Sequence, residues 1–390
     1  MRRIRYYIFL KDVLILALTT FGGPQAHVAL LLDVMVKKRR YITEEELIEL
    51  YALCQILPGP TSTQTITAIG YKVGRANLAY ITLLVWMLPA TSIMTAAAIV
   101  ISNLQEQSLS IEFTKFIQPM AVGFVAFAAF RISEKVIYTK SSFLLLIISA
   151  VISYFYNSPY IFPVILIFGG AVTAIKFKTQ PIESKQKLHI QWANFILWAV
   201  VFIGAAVLGG ITRELPIRLF ENFYRNGSLI FGGGQVLIPL FYTEFVEFKA
   251  FLSKEEFLSG YAISQAIPGP TFSFSAYIGS LAMREDGIWG EILGGFIASV
   301  GIFLPGTFLI FFIIRFWETL KKYRVVKASL EGINAASAGM VVAAGLIMFN
   351  PVDTNVTNIT IIIATFCLLA FTKTPAPFII LSGLIAGFII

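Results

Sequence analysis

YALCQILPGPT at 51–61 returns as YAISQAIPGPT at 261–271, a shift of 210 residues. The same gapless offset lays FGGPQ (21–25) on FGGGQ (231–235) and YITEEEL (41–47) on FLSKEEF (251–257). Fifteen of the 41 positions from 21 to 61 are identical, more than shared hydrophobicity produces. After a six-residue insertion in the second copy the offset becomes 216, pairing Leu88, Pro89 and Thr91 with Leu304, Pro305 and Thr307, and Gly123 with Gly339. The chain therefore reads as a duplication. The first repeat is 1–176 and the second 215–390. Between them, 177–214 holds a polar loop, FKTQPIESKQKLH, and one unmatched apolar span, WANFILWAVVFIGAAVLGG.

Of the 390 residues 57% are apolar and 13% charged, with mean hydropathy +0.79. A soluble domain carries about 25% charged residues, so a single water-covered core is excluded. A helix needs about 20 apolar residues to cross the hydrocarbon. Stretches of that kind lie near 76–101, 115–133, 142–156, 158–176, 192–210, 288–314, 328–349, 357–371 and 375–390, and less regular ones flank the two FGG motifs. The fold class expected is an all-α polytopic membrane protein with about 11 to 13 crossings. The opening MRRIRYYIFLKDVLILAL has a signal peptide's basic and apolar regions without a clear cleavage site, and is expected to be retained. Two cysteines, Cys54 and Cys367, in apolar surroundings say nothing about redox compartment.

The net charge of +8 is dispersed in short clusters between apolar spans, which reads as topology and not as a nucleic-acid surface. Lys37, Lys38, Arg39 and Arg40 form one cluster, and Lys176, Lys178, Lys185 and Lys187 another. The loop 102–114 has no Arg and no Lys, whereas its equivalent in the second copy, RFWETLKKYRVVK, is strongly basic. Equivalent loops of opposite bias belong on opposite faces, and the unmatched span would flip the second copy. Inverted repeats with broken or re-entrant helices follow, the architecture of alternating-access transporters with a site near the midplane.

In Pro-Gly-Pro-Thr, proline removes an N–H and glycine opens unusual dihedrals, so one helix must stop and another start, at Pro60 and Pro270 in the N1 position. The helices before each break open with capping boxes, Thr43 to Glu46 and Ser253 to Glu256. A helix N-terminus within the membrane offers N–H groups and partial positive charge to an anion. Gly59, Thr61, Ser62 and Thr63 are the candidate binding residues of one copy, with Thr65 behind them; Gly269, Thr271 and Ser273 are those of the other, with Ser275. The plainer reading, a tight turn whose hydroxyls bond back to their own helix, stands beside it. Gly22, Gly23, Gly232 and Gly233 either let backbones approach or point N–H groups at a ligand. Gln25, Gln235, Gln55 and Gln265 are expected to link the broken helices to each other or to substrate. Lys72, Arg75 and Arg131 sit at span ends, as topology signals or as a cationic vestibule. Glu45, Glu46, Glu255 and Glu256 read as helix-start carboxylates. A histidine ordinarily titrates near neutral pH, which makes His27 a candidate coupling residue, although Leu237 replaces it in the second copy. No metal site or cofactor is expected: His189 lies in the linker, ligand spacing is lacking, and nucleotide loops and nucleophile elbows are not found. An enzyme would call for paired carboxylates or histidine clusters within spans, and none is read.

With FGGPQAH, QILPGPTSTQ, FGGGQ and SQAIPGPTFSFSAYIG, the sequence resembles the chromate ion transporter family in its two-domain form, over essentially the whole chain. The resemblance implies export of chromate from the cytoplasm across the cell membrane, conferring chromate resistance, with sulfate as a competing oxyanion. Both are tetrahedral dianions that suit N–H donors and hydroxyls. A different transported anion is the alternative. The coupling ion and the oligomeric state, a homodimer included, are left open. Pro24 becomes Gly234 and His27 becomes Leu237, so the copies are not interchangeable.

Overall fold

The computed structural model describes residues 2–21, 23–106, 115–156, 161–175, 190–231, 237–316, 324–350, 352–372 and 374–389; among them there is no strand. The first repeat holds α1 (Arg2–Thr19), α2 (Gly23–Leu31) running into a π-helical turn π1 (Leu32–Lys38), α3 (Glu44–Ile56), α4 (Thr61–Glu106), α5 (Ile117–Val136), α6 (Lys140–Phe155) and α7 (Ile161–Ala174). The unmatched span is α8 (Ala193–Thr212). The second repeat holds α9 (Leu215–Leu229), α10 (Leu237–Phe241) with π2 (Tyr242–Phe248), α11 (Lys254–Ala266), α12 (Phe274–Ala282) after a 3-10 turn at Thr271–Ser273, and α13 (Gly287–Ile313). It ends with α14 (Arg324–Phe349), α15 (Val356–Phe371) and α16 (Ala376–Ile389).

Local chemistry explains why the copies match element by element. Thr43 and Glu46 cap α3 reciprocally, Thr43 N–H donating to Glu46 Oε2 at 2.9 Å and Glu46 N–H to Thr43 Oγ1 at 3.2 Å. Ser253 and Glu256 do the same for α11 at 2.7 and 3.1 Å. Both capping boxes read from the sequence are thus present. π1 and π2 close alike: Arg39 N–H donates to Val34 O and Lys249 N–H to Glu244 O, each at 2.9 Å. The chain then turns through a left-handed residue that is not glycine, Arg40 (φ 54°) or Ala250 (φ 51°).

α4 is two helices in one. Gly74 and Arg75 (φ 63°, ψ −163°) interrupt it, leaving 61–73 after the break and 76–106 as the long span. The second copy makes the corresponding turn at Gly287 (φ 69°, ψ −168°) before α13. Among the described residues, four helical stretches, Thr61–Leu104, Ala193–Thr212, Arg284–Ile313 and Ala328–Phe349, are long and apolar enough to cross a membrane. α6, α7, α15 and α16 fall on expected spans but hold only 14 to 16 residues. At about 1.5 Å per residue they reach less than the roughly 30 Å hydrocarbon thickness. α8 leaves Ile196, Val200, Ile203, Val207 and Ile211 exposed, the face lipid covers in a membrane protein.

Cα packing divides the chain into two compact units that cut across the repeats. One comprises Met1–Leu109, Gln191–Gly234 and Ile263–Ile314; the other Ser110–Ile190, Gln235–Ala262 and Arg315–Ile390. In the first, α13 packs on α9, α12 and α4, and α1 packs on α4. A bidentate pair from Arg39 to buried Asp12 at 2.9 Å, joined by the Tyr41 hydroxyl at 2.9 Å, ties α1 to the end of π1. In the second, α14 packs on α5, α6 and α7, and α15 on α5. Its glycines show a reciprocal arrangement. A Cβ on Gly123 would meet Ile362 O at 2.9 Å and Thr365 Cβ at 2.8 Å; one on Gly339 would meet Leu146 O and Ser149 Cβ. Adding 216 to 123, 146 and 149 gives 339, 362 and 365, so exchanging the copies reproduces the contacts, as a two-fold relation does.

Leucine at Gly123 or Gly339 should therefore lower stability by about 1–3 kcal/mol through overpacking. Leucine at Gly204 of α8, where a Cβ meets nothing within 4 Å, should be neutral. Denaturation of the detergent-solubilised protein checks this; equal stability of all three would remove the close-packing argument.

Candidate functional site

Both Pro-Gly-Pro breaks lie in the first compact unit. α3 stops at Ile56, since Leu57 precedes a proline and is extended (φ −84°, ψ 149°). Gly59 then takes φ +115°, a region closed to L side chains, and α4 begins at Thr61. The second copy repeats this: α11 stops at Ala266, Gly269 takes φ +108°, and the 3-10 turn starts at Thr271. Pro270 (φ −72°, ψ 131°) is the N-cap, and Pro60 likewise precedes the first helical residue. The expected N1 placement is thus off by one residue; at Pro270 the ψ of 131° still belongs to the extended turn.

The two breaks are latched crosswise. Gly59 N–H donates to Ile230 O at 2.7 Å, and Gly269 N–H to Thr20 O at 2.9 Å. Ile230 and Thr20 are themselves 210 apart and each immediately precedes an FGG motif. The absent Cβ atoms match too: one on Gly59 would lie 3.2 Å from Gly306 Cα, and one on Gly269 2.8 Å from Ala90 Cβ. Residues 90 and 306 correspond at the offset of 216. The break of each copy is thus held against the other copy's backbone, where only glycine fits.

Thr61, Ser62 and Thr63 are buried in the first turn of α4, where helix geometry leaves the amides without intrahelical acceptors. Thr63 Oγ1 accepts from Trp86 Nε1 at 3.2 Å. Thr65 bonds back to Thr61 O and Ser275 to Phe272 O, both at 2.8 Å, so those two hydroxyls serve their own helices. Thr271 is half-buried, and Ser273 is buried. Among the described residues, Thr20 Oγ1, both His27 ring nitrogens, Gln64 Oε1, Thr67 Oγ1, Ser273 Oγ and Ser280 Oγ are buried without a hydrogen-bond partner. These seven atoms belong to this compact unit, whereas Ser153 Oγ, likewise buried and unpartnered, lies in the other. Such a concentration of unpaired polar atoms needs an explanation that packing does not supply.

A side chain, that of Gln64, also joins the first break to the second copy. Its Nε2 donates to Pro58 O at 2.8 Å and to Gly306 O at 3.1 Å. Comparing the copies hid it, because its counterpart is Phe274; the signal was a glutamine in the first turn of a helix where the other copy has a phenylalanine. Of the four glutamines expected in that role, Gln55 is exposed on α3 and Gln265 is half-buried, 3.5 Å from Ser264 Oγ. Gly22, Gly232, Gly233 and Gln235 lie outside the described residues; Gly23 opens α2, and Gln25 follows it there. The basic candidates are exposed. Lys72 pairs with Glu46 at 2.9 Å and Arg131 with Glu134 at 3.0 Å. The Thr43 N–H, and after it Lys72, hold the Glu46 carboxyl below its usual range. Arg75 occupies a backbone region that is nearly glycine-only. His27 is buried, edge-on to Trp86 with ring centroids 5.5 Å apart.

Two substitutions probe this geometry. Gln64→Leu strips two buried carbonyls of their donor and is expected to destabilise by about 1–3 kcal/mol. Arg75→Gly relieves the backbone and is expected to stabilise by roughly 1–3 kcal/mol. Thermal unfolding in detergent measures both; the opposite sign for either would sink the corresponding assignment.

The family model described as Chromate transporter matches residues 8–175 and again 217–388. A probable chromate transport protein of Synechococcus elongatus is 26% identical over 95% of this chain and 91% of its own length. A chromate transport protein of Pseudomonas aeruginosa is 24% identical over 96% and 89%. An uncharacterized transporter of Methanocaldococcus jannaschii is 24% identical over 96% and 92%. No solved structure matches the chain. Two successive matches covering nearly all of the sequence, on a duplicated helical membrane protein, place this chain in the chromate transporter family in its two-domain form.

Proposed function

We propose that the chain is a secondary transporter that exports chromate, a divalent tetrahedral oxyanion, across the cytoplasmic membrane and so confers chromate resistance. The observation that carries this reading is the crosswise pair of bonds, Gly59 to Ile230 and Gly269 to Thr20, which anchors two interrupted helices in one compact unit. Each interruption starts a new helical stretch with hydroxyl residues in its first turn, Thr61, Ser62 and Thr63 in one and Thr271 and Ser273 in the other. N–H groups and hydroxyls there suit an oxyanion. The relatives named as chromate transport proteins favour chromate among such anions. Sulfate, of the same shape and charge, is the competing substrate.

The repeats 1–176 and 215–390 are taken to have opposite orientations in the membrane, joined by the linker 177–214 with α8 as the odd crossing. Reciprocal contacts, one unpaired helix and opposite charge in equivalent loops support this. A dianion leaving an inside-negative cell gains roughly 4.6 kcal/mol per 100 mV, twice the single-charge value, enough to drive efflux without ATP.

In proteoliposomes at fixed voltage, labelled chromate should cross, and Thr61→Ala and Thr271→Ala should each reduce flux by about tenfold or more, the loss of a hydrogen bond to a charged group. Parental flux in both variants would sink the site; flux of sulfate but not chromate would reassign the substrate. Orientation is tested with Arg40→Cys and Ala250→Cys in a Cys367→Ser background, both exposed and at equivalent positions. An impermeant maleimide should reach them from opposite faces, and labelling from one face would refute inversion.

A further inference from the structure

His27 is 1% exposed, and both ring nitrogens lack a hydrogen-bond partner among the described residues. A neutral imidazole always carries one donor and one acceptor, and leaving both unmade in a packed interior is unfavourable. Packing alone does not ask for histidine, since Leu237 fills the equivalent, equally buried place in the second copy. The imidazole meets Trp86 edge-on at 83°, and the Trp86 indole donates to Thr63 Oγ1 in the first turn of α4. One aromatic ring therefore separates His27 from the helix start at the first break.

Among the described residues, the charged groups on the elements that pack most closely on α2 are exposed or paired. α2 itself carries no other titratable side chain. The main contacts of α2 are with π1 and α4. On π1, Asp33 pairs with Lys38 at 2.7 Å, both well exposed, and Lys37 is exposed. On α4, Lys72 is turned to Glu46, Arg75 is exposed, and Tyr71 and Tyr80 pack on Phe311. A charge arriving at His27 thus finds no standing counterion among these groups; of the buried carboxylates elsewhere in the unit, Asp12 is held by Arg39 and Tyr41 and Glu291 lies on α13, and the incoming anion is taken as the partner of an imidazolium.

We propose that His27 is the proton-coupling residue: it takes up one proton as the dianion binds and gives it up when the anion leaves. This rests on the anion site placed at the Pro-Gly-Pro breaks. The proton adds to a ring-nitrogen lone pair on one side of the membrane and departs from the same nitrogen on the other; no covalent bond to the anion forms. The charge moved per cycle is then one negative charge and not two. The device is asymmetric, because Leu237 cannot take part.

The test uses the full chain in proteoliposomes containing a pH-sensitive dye, with a chromate gradient at clamped voltage. The parent should move about one proton per chromate. His27→Gln and His27→Leu should lower the proton-to-chromate ratio at least tenfold and double the charge carried per anion. A parental ratio in both variants, or a parent that moves no proton with chromate, overturns the proposal. If the variants do not transport, chromate-induced thermal shifts from about pH 5.5 to 8, the range in which histidine titrates, decide it. Parent and variants should then differ in the pH dependence of affinity, chromate's own protonation being common to all, and identical profiles refute coupling through His27. Thr61→Ala separates the two claims: parental flux and binding in that variant remove the site, whereas an impaired Thr61→Ala beside a parental ratio in the His27 variants removes only the coupling.

Discussion

A peptide N–H that meets neither water nor a carbonyl costs several kcal/mol inside a bilayer, and that penalty governs this architecture. Interrupting a helix twice, at Gly59 and Gly269, releases such groups at the points where the chain must also bend. Each released amide is taken by a carbonyl of the other copy, Ile230 O or Thr20 O. The partner carbonyl stands where a helix ends before an FGG motif, so the two kinds of interruption stabilise each other. The close approach this requires explains why a Cβ at either glycine would collide with the facing helix, at Gly306 or Ala90.

Much of this was legible in the sequence because it is written twice. The helix stops at Pro-Gly-Pro, the capping boxes at Thr43 and Ser253, and the unmatched α8 follow from residue types whose local physics is strong and from their recurrence at a fixed spacing. Features written once, or expressed only in the backbone, were not legible. Gln64 faces Phe274 across the duplication, and nothing in its neighbourhood says that its amide reaches Gly306. The π-helical turns and left-handed Arg40 and Ala250 depend on hydrogen-bond register, which hydropathy does not encode. α6 and α15, by contrast, fall within two residues of the apolar stretches 142–156 and 357–371 at each end.

The backbone is nearly symmetric and the side chains are not. His27 faces Leu237, Gln64 faces Phe274 and Asp12 faces Asn222 at matched positions. Secondary structure is set by prolines, glycines and caps, which both copies keep. Polar groups inside are free to differ once the frame holds, as His27 against Leu237 and Gln64 against Phe274 show. The compact units show the same division of labour, since each draws on both copies.

The latch has a bearing on how the polypeptide comes to be made. Neither amide has its acceptor in its own copy, so during synthesis the amino-terminal half must wait, its Gly59 unsatisfied, until Ile230 has left the ribosome. Severing the gene between the copies would produce two fragments that are each chemically incomplete, and only their reunion would let either kink close.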